Sequence, residues 1–154
     1  MSAEENLRLA RRVFEEAWSK GNLSVLDEVV AANYIGYDPA QPGPIVNLAE
    51  LKRSIQEYRV AFPDLTFTID EAHAIGPDRV LLRWTGRGTH RGPLMGIPAT
   101  GKTASVGGMT LTRFEGGKAV EDRTNWDTLG LLRQLGAIPS PQPTTAPENR
   151  PAAH

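Results

Sequence analysis

The chain of 154 residues contains no cysteine and only three histidines. The lack of cysteine excludes both disulfides and thiol catalysis. No histidine stands at metal-ligand spacing from another histidine or from a carboxylate cluster, so we expect no metal. Long apolar runs are also absent, and the opening MSAEENLRLARR alternates charge, so we expect neither a membrane span nor a signal peptide. A cytoplasmic protein is therefore the expectation.

The chain also lacks an excess of acidic or of basic residues. The 17 basic and 18 acidic residues give a net charge of −1, and the two signs are interleaved along the sequence. A surface for nucleic acid or a tail for a basic partner would need a block of like charge. We therefore expect a partner of another kind, such as a small molecule, and no nucleic acid or membrane.

Apolar residues at helical spacing predict three helices in the first half, over residues 2–21, 22–33 and 47–62. Ser2 and Asn47 each precede a glutamate by three residues, which is typical of a capped helix start. Asn22 is the expected cap of the second helix. The segment YIGYDPAQPGP, residues 34–44, is rich in proline and glycine and is predicted to be a loop.

After Pro63 the apolar period changes from helical to two, which predicts four strands over residues 65–75, 78–90, 102–114 and 118–126. Helices followed by an antiparallel meander indicate the α+β class. Asp127 is expected to cap a short last helix. We predict one domain over residues 1–138 and a flexible, proline-rich tail over residues 139–154.

Two motifs together resemble a known family. GTHRGPLMGIPATGK, residues 88–102, is similar to the G-x-H-x-G…G-(I/M)-P-x-T-G segment of SnoaL-like polyketide cyclases, and GGKAVEDRTNWDTLGLLRQLG, residues 116–136, is similar to their last strand and closing turn. The helical opening also matches, so the resemblance extends over residues 7–136. It implies the nuclear transport factor 2-like fold, in which helices pack on a curved antiparallel sheet that forms a cone-shaped barrel with a pocket at its open end. It also implies a homodimer or higher homo-oligomer.

The resemblance further implies an enzyme that closes a ring by an intramolecular aldol reaction, in which one carboxylate moves the proton and no cofactor is required. Aligned without a gap, the family's acid/base aspartate falls on Thr124, and a histidine that supports it falls on Thr110. A threonine hydroxyl is not a general base near neutral pH. The resemblance therefore predicts the fold but assigns no acid/base residue, and another side chain would have to act in its place.

Asp122 is the candidate for the acid/base residue. In a regular strand it shares a face with Val120, Thr124 and Trp126. Desolvation in an apolar pocket would raise the pKa of such a carboxylate toward the working pH. The alternative is a structural carboxylate that pairs with Arg113 or Arg123.

Other candidates surround it. His90 could protonate a carbonyl oxygen or position the substrate, or it could only order the bend from Gly88 to Gly92. Tyr34 and Tyr37 could donate to an oxyanion, or pack under the loop. The remaining expected pocket residues are Trp18, Ser54, Trp84, Thr110 and Thr124.

Three hypotheses about function remain open from the sequence. The first is cofactor-free acid/base catalysis, a ring closure or related isomerisation of a hydrophobic oxygenated substrate. The second is a non-catalytic module of the same fold that binds a ligand or dimerises. The third is an epoxide-opening hydrolase in which Asp122 and an arginine, Arg123 or Arg113, activate water.

Overall fold

The computed structural model describes residues 2–139. The predicted tail lies outside the described residues except for Pro139, so the domain boundary remains a prediction. Within this range the chain forms helices first and a five-stranded sheet afterwards, and the predicted α+β class is confirmed. No helix of the described part is long and apolar enough to cross a membrane.

The predicted helix caps at Ser2, Asn47 and Asp127 form. Ser2 Oγ accepts from the Glu5 N–H at 3.0 Å, and Asn47 Oδ1 accepts from the Glu50 N–H at 2.8 Å. Such caps satisfy backbone donors that have no partner within the helix. The helices are α1 (Ala3–Arg12), α2 (Val25–Val29), α3 (Leu48–Ala61) and α4 (Thr128–Gln134), and α1 runs on into a π-helical segment, Val13–Trp18.

The sheet is curved and does not close. Its strands are β1 (Val30–Tyr37), β2 (Thr66–Ile75), β3 (Arg79–Thr89), β4 (Thr103–Glu115) and β5 (Lys118–Trp126). Their order is β1-β5-β4-β3-β2. All neighbours are antiparallel except β1 and β5, which run parallel.

The prediction for residues 22–44 is wrong in two respects. Ser24, not Asn22, precedes the second helix, which is only five residues long, and the chain then forms β1 where a helix end and a loop were expected. The partner of β1 is β5, some ninety residues later, so local periodicity carries no sign of the pairing. Tyr34 therefore lies on a strand, not in a loop.

The hydrophobic core lies where the helices cover one face of the sheet. Helix α1 contacts β2 and β3, and α3 contacts β1. Fully buried side chains at the centre include Leu26, Ile55 and Leu82. A second cluster around α4 contains Phe62, Leu131 and Leu135. The helices and strands between these two clusters enclose the cavity described next.

Candidate active site

A cavity with an open mouth is lined by residues of α3 and of all five strands. The wall is mainly apolar and includes all three tryptophans of the chain. Its aromatic residues are Phe14, Trp18, Tyr34, Tyr37, Tyr58, Phe62, Phe67, Trp84 and Trp126. This lining is suited to a hydrophobic ligand.

Asp122 lines this cavity from β5. Tyr34 Oη donates to its Oδ2 at 2.7 Å, and Thr112 Oγ1 donates to its Oδ1 at 2.5 Å. The contacts arise from the strand order, because β5 lies between β1, which carries Tyr34, and β4, which carries Thr112. In the ladders Asp122 stands opposite Thr112 on one side and Gly36 on the other.

The surroundings change the proton affinity of this pair. Burial raises the pKa of Asp122 above its ordinary value of 3.8, while the bonds from Thr112 and Tyr34 oppose part of that rise. Burial, and then the charge of Asp122, raises the pKa of Tyr34 well above that of a free phenol. Tyr34 is therefore a hydrogen-bond donor, and Asp122 is the group that can take up a proton.

Neither arginine reaches Asp122. Arg113 Nε lies 3.6 Å from Glu121 Oε1, and an Arg123 side-chain nitrogen lies 3.2 Å from Glu121 Oε2. Within residues 2–139 Asp122 has no salt bridge. Its geometry is therefore not that of the ion-paired structural carboxylate, and the carboxylate–arginine pair of an epoxide-opening hydrolase is not assembled.

Thr110 and Thr124 stand opposite each other on β4 and β5, and both line the cavity. Their hydroxyl oxygens are 2.9 Å apart, and Trp84 Nε1 donates to Thr110 Oγ1 at 3.1 Å. Because Thr110 accepts from the indole, its own proton is free to reach Thr124. The pair is thus a neutral hydrogen-bonding group in the wall, two residues from Asp122.

The predicted face of β5 is correct for Asp122, Thr124 and Trp126, which all line the cavity, but wrong for Val120. Arg113 pairs with Glu121 while Phe114 pairs with Ala119, so Val120 is the extra residue of a bulge. The bulge turns Ala119 into the core in place of Val120. A bulge is invisible to strict alternation.

Asp38 is a second carboxylate of the cavity, and sequence reasoning missed it. Trp126 Nε1 and the Ala40 N–H donate to its Oδ1 at 2.8 and 2.9 Å, and Tyr58 Oη donates to its Oδ2 at 3.0 Å. Had β1 been recognised, the alternation of Tyr34 and Gly36 would have pointed to position 38. Asp38 and Asp122 do not form a metal site with a third ligand, since residues 2–139 hold no group of three or more such side chains.

The structure also places Tyr37, Trp18, Ser54 and Trp84 along the wall. Tyr37 is 38% exposed, and the Arg123 guanidinium carbon lies 4.4 Å from its ring centroid, a cation–π contact. Ser54 is buried on α3, and its hydroxyl has no protein hydrogen-bond partner among the described residues.

His90 is not among the residues that line the cavity. Its Nδ1 lies 3.0 Å from Thr100 Oγ1 and accepts the Thr100 N–H at 3.2 Å, and its backbone N–H donates to the Lys102 carbonyl at 2.8 Å. The ring is fully buried against Phe62. The structure does not bring His90 to Asp122. Its contacts are those of a residue that orders the loop, and we assign it no part in the proton transfer.

Comparison with known sequences identifies the family of this chain. Residues 8–135 match the family model described as SnoaL-like polyketide cyclase. The chain belongs to the SnoaL-like polyketide cyclase family. Aklanonic acid methyl ester cyclase DauD of Streptomyces sp. strain C5 is 33% identical over 144 residues, which cover 88% of this chain and 83% of the relative.

Two solved structures support the fold of this SnoaL-like protein. TsrD from Streptomyces laurentii superposes with a TM-score of 0.80 at 28% identity and covers 90% of this chain and 99% of its own. AclR from Streptomyces galilaeus superposes with a TM-score of 0.78 at 29% identity, covering 92% and 87%. The fold that the sequence motifs implied is confirmed, with a sheet that is curved but unclosed.

We expect Asp122→Asn to raise the melting temperature of this SnoaL-like protein at pH 7. Because the folded pKa of Asp122 lies above the unfolded one, the ionised carboxylate destabilises the fold at a pH above both values. The advantage of asparagine should shrink as the pH falls toward the unfolded pKa of about 3.9. Each kcal/mol corresponds to roughly 2–4 °C for a chain of this size. Calorimetry between pH 4 and pH 7 measures the gap.

Glu121→Gln is the matched control for this measurement, because Glu121 is ion-paired next to Asp122 but outside the cavity. Glu121→Gln removes the repulsion that contributes to the raised pKa of Asp122 but leaves that carboxylate buried, so its gain at neutral pH should be smaller than that of Asp122→Asn. A wild-type protein that melts above Asp122→Asn at pH 7, by a margin that grows with pH, would contradict the raised pKa.

Proposed function

We propose that the protein is a cofactor-independent acid/base enzyme that closes a ring in, or isomerises, a hydrophobic oxygenated small molecule. The observation that carries this proposal is Asp122. It is a carboxylate in an apolar cavity, held by two hydroxyl donors and, within residues 2–139, by no cation. Among related family members, DauD is by its name a cyclase of aklanonic acid methyl ester.

The reaction that suits this site begins at a carbon flanked by two carbonyl groups. The Asp122 carboxylate removes a proton from that carbon and becomes the carboxylic acid. The resulting enolate carbon attacks a second carbonyl carbon of the same molecule, which forms the new carbon–carbon bond and leaves an alkoxide. Asp122 returns its proton to the alkoxide, so the enzyme ends as it began and the product is an isomer of the substrate.

Tyr34 and Thr112 position Asp122 in this scheme. Their two donated bonds fix the plane of the carboxylate and leave its other lone pairs for the substrate proton. Thr124, whose hydroxyl is bonded to Thr110, faces the same cavity and can donate to the enolate or alkoxide oxygen. The base and a neutral donor are thus two residues apart on one strand.

The wild-type protein should convert aklanonic acid methyl ester, used as the probe, to a product of the same mass with a different retention time. Liquid chromatography with mass spectrometry follows the reaction against a buffer blank. A wild-type protein that binds the probe but returns it unchanged would support a second candidate function, a non-catalytic binding module. That alternative is favoured by Thr124 and Thr110 at the positions that the resemblance assigned to the acid/base pair.

Replacing Tyr34 with phenylalanine is expected to move the acidic limb of the pH–rate profile to higher pH. The lost bond lowers the pKa of Asp122 in the wild type, so its removal raises that pKa, and the base form is then lost at a higher pH. Thr112→Val should act in the same direction. Profiles of kcat/KM between pH 4 and pH 8 measure both shifts.

Tyr37→Phe serves as the control, because Tyr37 lines the mouth and makes no bond to Asp122. Its profile should follow that of the wild type. If Tyr34→Phe left the acidic limb in place, Asp122 would not be the group that this limb reports.

We also propose, on the family resemblance, that two copies pair through the outer face of the sheet. Large apolar side chains on that face, Ile35 on β1 and Met109 on β4, are 39% and 48% exposed. They alternate with Tyr34 and Thr110, which face inward. This arrangement supports the pairing, which stays a prediction.

A further inference from the structure

The cavity contains a second set of polar groups that the chemistry at Asp122 does not use. Asp38 is its centre, and the groups that donate to Asp38 belong to the loop after β1, to α3 and to β5. Ser54 lies one helical turn before Tyr58 on α3, so both present to the same side of that helix. Asp38, Ser54, Tyr58 and Trp126 all line the cavity.

Ser54 is the observation that points to a ligand. Its residue is only 6% exposed, it lies in the cavity wall, and its hydroxyl has no protein partner among residues 2–139. A buried hydroxyl without a bond destabilises a protein, so such groups normally find a partner. A bound molecule would supply the partner.

This polar set lies next to the reacting group and not on it. Asp122 stands beside Gly36 in the β1–β5 ladder, and Asp38 follows Gly36 by two residues, which is roughly 7 Å of extended strand. A polycyclic molecule is long enough to extend over that distance. One of its rings can therefore lie at Asp122 while a neighbouring ring meets Asp38.

We propose that Asp38 and Ser54 form a second subsite, which binds a hydroxyl group of a flat polycyclic substrate on a ring next to the reacting one. The inference rests on the proposed function for its substrate class, but it concerns binding and not the proton transfer. Tyr58 and Trp126 are positioning residues, since they hold the Asp38 carboxylate in the wall.

The chemistry of the subsite selects a hydroxyl over a carbonyl. All three protein contacts reach the Asp38 oxygens as donors, so the group offers its remaining lone pairs, which only a ligand donor can use. The Ser54 hydroxyl can donate to an oxygen of the ligand. A hydroxyl group donates and accepts and so fits both, whereas a carbonyl leaves Asp38 without a new bond, and a ligand carboxylate would be repelled.

Two flat probes that differ by one hydroxyl test the subsite, namely 2-hydroxyanthraquinone and anthraquinone, at pH 6. Binding is followed by quenching of tryptophan fluorescence, to which Trp18, Trp84 and Trp126 in the cavity wall all contribute. Since a hydrogen bond to a charged group contributes about 1.5–3 kcal/mol, the wild type should bind the hydroxylated probe roughly 10- to 100-fold more tightly.

Asp38→Asn and Ser54→Ala should each reduce this preference by about tenfold and leave the affinity for anthraquinone within about twofold. Ser54→Ala is the safer variant for folding, because alanine suits a helix and removes an unpaired hydroxyl. Equal affinity of the wild type for both probes would overturn the subsite. Variants that bind both probes more weakly by the same factor would also overturn it, because that result is expected of an Asp38 with a purely structural role.

Asp122→Asn separates this inference from the proposed catalytic function. Its preference for the hydroxylated probe should match that of the wild type. Loss of turnover with the preference intact supports both proposals, and loss of turnover without any wild-type preference overturns the subsite alone. A wild-type protein that shows the preference but no turnover contradicts the enzyme and leaves the subsite supported.

Discussion

Replacing Asp122 with asparagine is expected to reduce turnover of aklanonic acid methyl ester by about 10²- to 10⁴-fold, the usual contribution of a general acid/base group. Asparagine keeps the size of the side chain and can still accept from Tyr34 or Thr112, but it cannot take up and return a proton. The loss should appear in kcat more than in KM, because the residue acts on the transition state.

Glu121→Gln is the matched control for this experiment as well. It changes a neighbouring carboxylate on the same strand, one that is paired with Arg113 and Arg123 outside the cavity. The charge of Glu121 contributes to the raised pKa of Asp122, but the Asp122 carboxylate stays in place, so we expect the kcat of Glu121→Gln to remain close to that of the wild type at a pH above the acidic limb. Turnover by Asp122→Asn equal to that of Glu121→Gln would remove Asp122 from the mechanism.

Replacing Gly36 with alanine is expected to disturb the same site from the backbone. A Cβ at this position would lie 2.5 Å from Tyr34 Oη and 3.0 Å from two carbons of its ring. Tyr34 is 2% exposed and has no room to yield without pushing on Asp122. We expect a loss of about 1–3 kcal/mol in the free energy of unfolding, as for other overpacked sites. We also expect a 10- to 100-fold lower kcat from the displaced carboxylate, on the order of what a small misplacement costs.

Denaturant unfolding and turnover of four proteins test this cause: the wild type, Gly36→Ala, Tyr34→Phe and the double variant. Phenylalanine removes the oxygen that the new Cβ would meet, so the double variant should lose less stability than the sum of the two single changes. Gly107→Ala on β4 is the control, because a Cβ there would meet only the Trp84 carbonyl oxygen, at 3.9 Å. Additive losses, or an equal loss in Gly107→Ala, would exclude the contact with Tyr34 as the cause.

Local signals in the sequence were enough to predict most of the fold. The caps at Ser2, Asn47 and Asp127 depend on contacts three residues away, and the four later strands follow from alternation and close turns. Strand β1 could not be predicted in this way, because its partner is distant in the chain and its pairing is parallel. The cluster of β-branched and aromatic residues from Val29 to Tyr37 was its only local trace.

The alternation of side chains along β5 was enough to predict the site residues on that strand. Site residues in a loop, or next to the unpredicted strand β1, could not be placed in this way. Parity placed Asp122 and Thr124 on one face, and both line the cavity. Asp38 was missed together with the strand that leads to it. His90 belongs to a motif of the family, but a motif does not give the direction of a side chain. The His90 ring points into the loop and contacts Thr100.

The central claim, that the cavity makes Asp122 a proton acceptor, can be measured without any substrate. Carbon-13 NMR of protein labelled at the aspartate carboxyls gives the titration of each group, and the signal missing from Asp122→Asn identifies Asp122. We predict a midpoint above the ordinary value of 3.8, and a further rise in Thr112→Val. A midpoint at or below 3.8 would contradict the account.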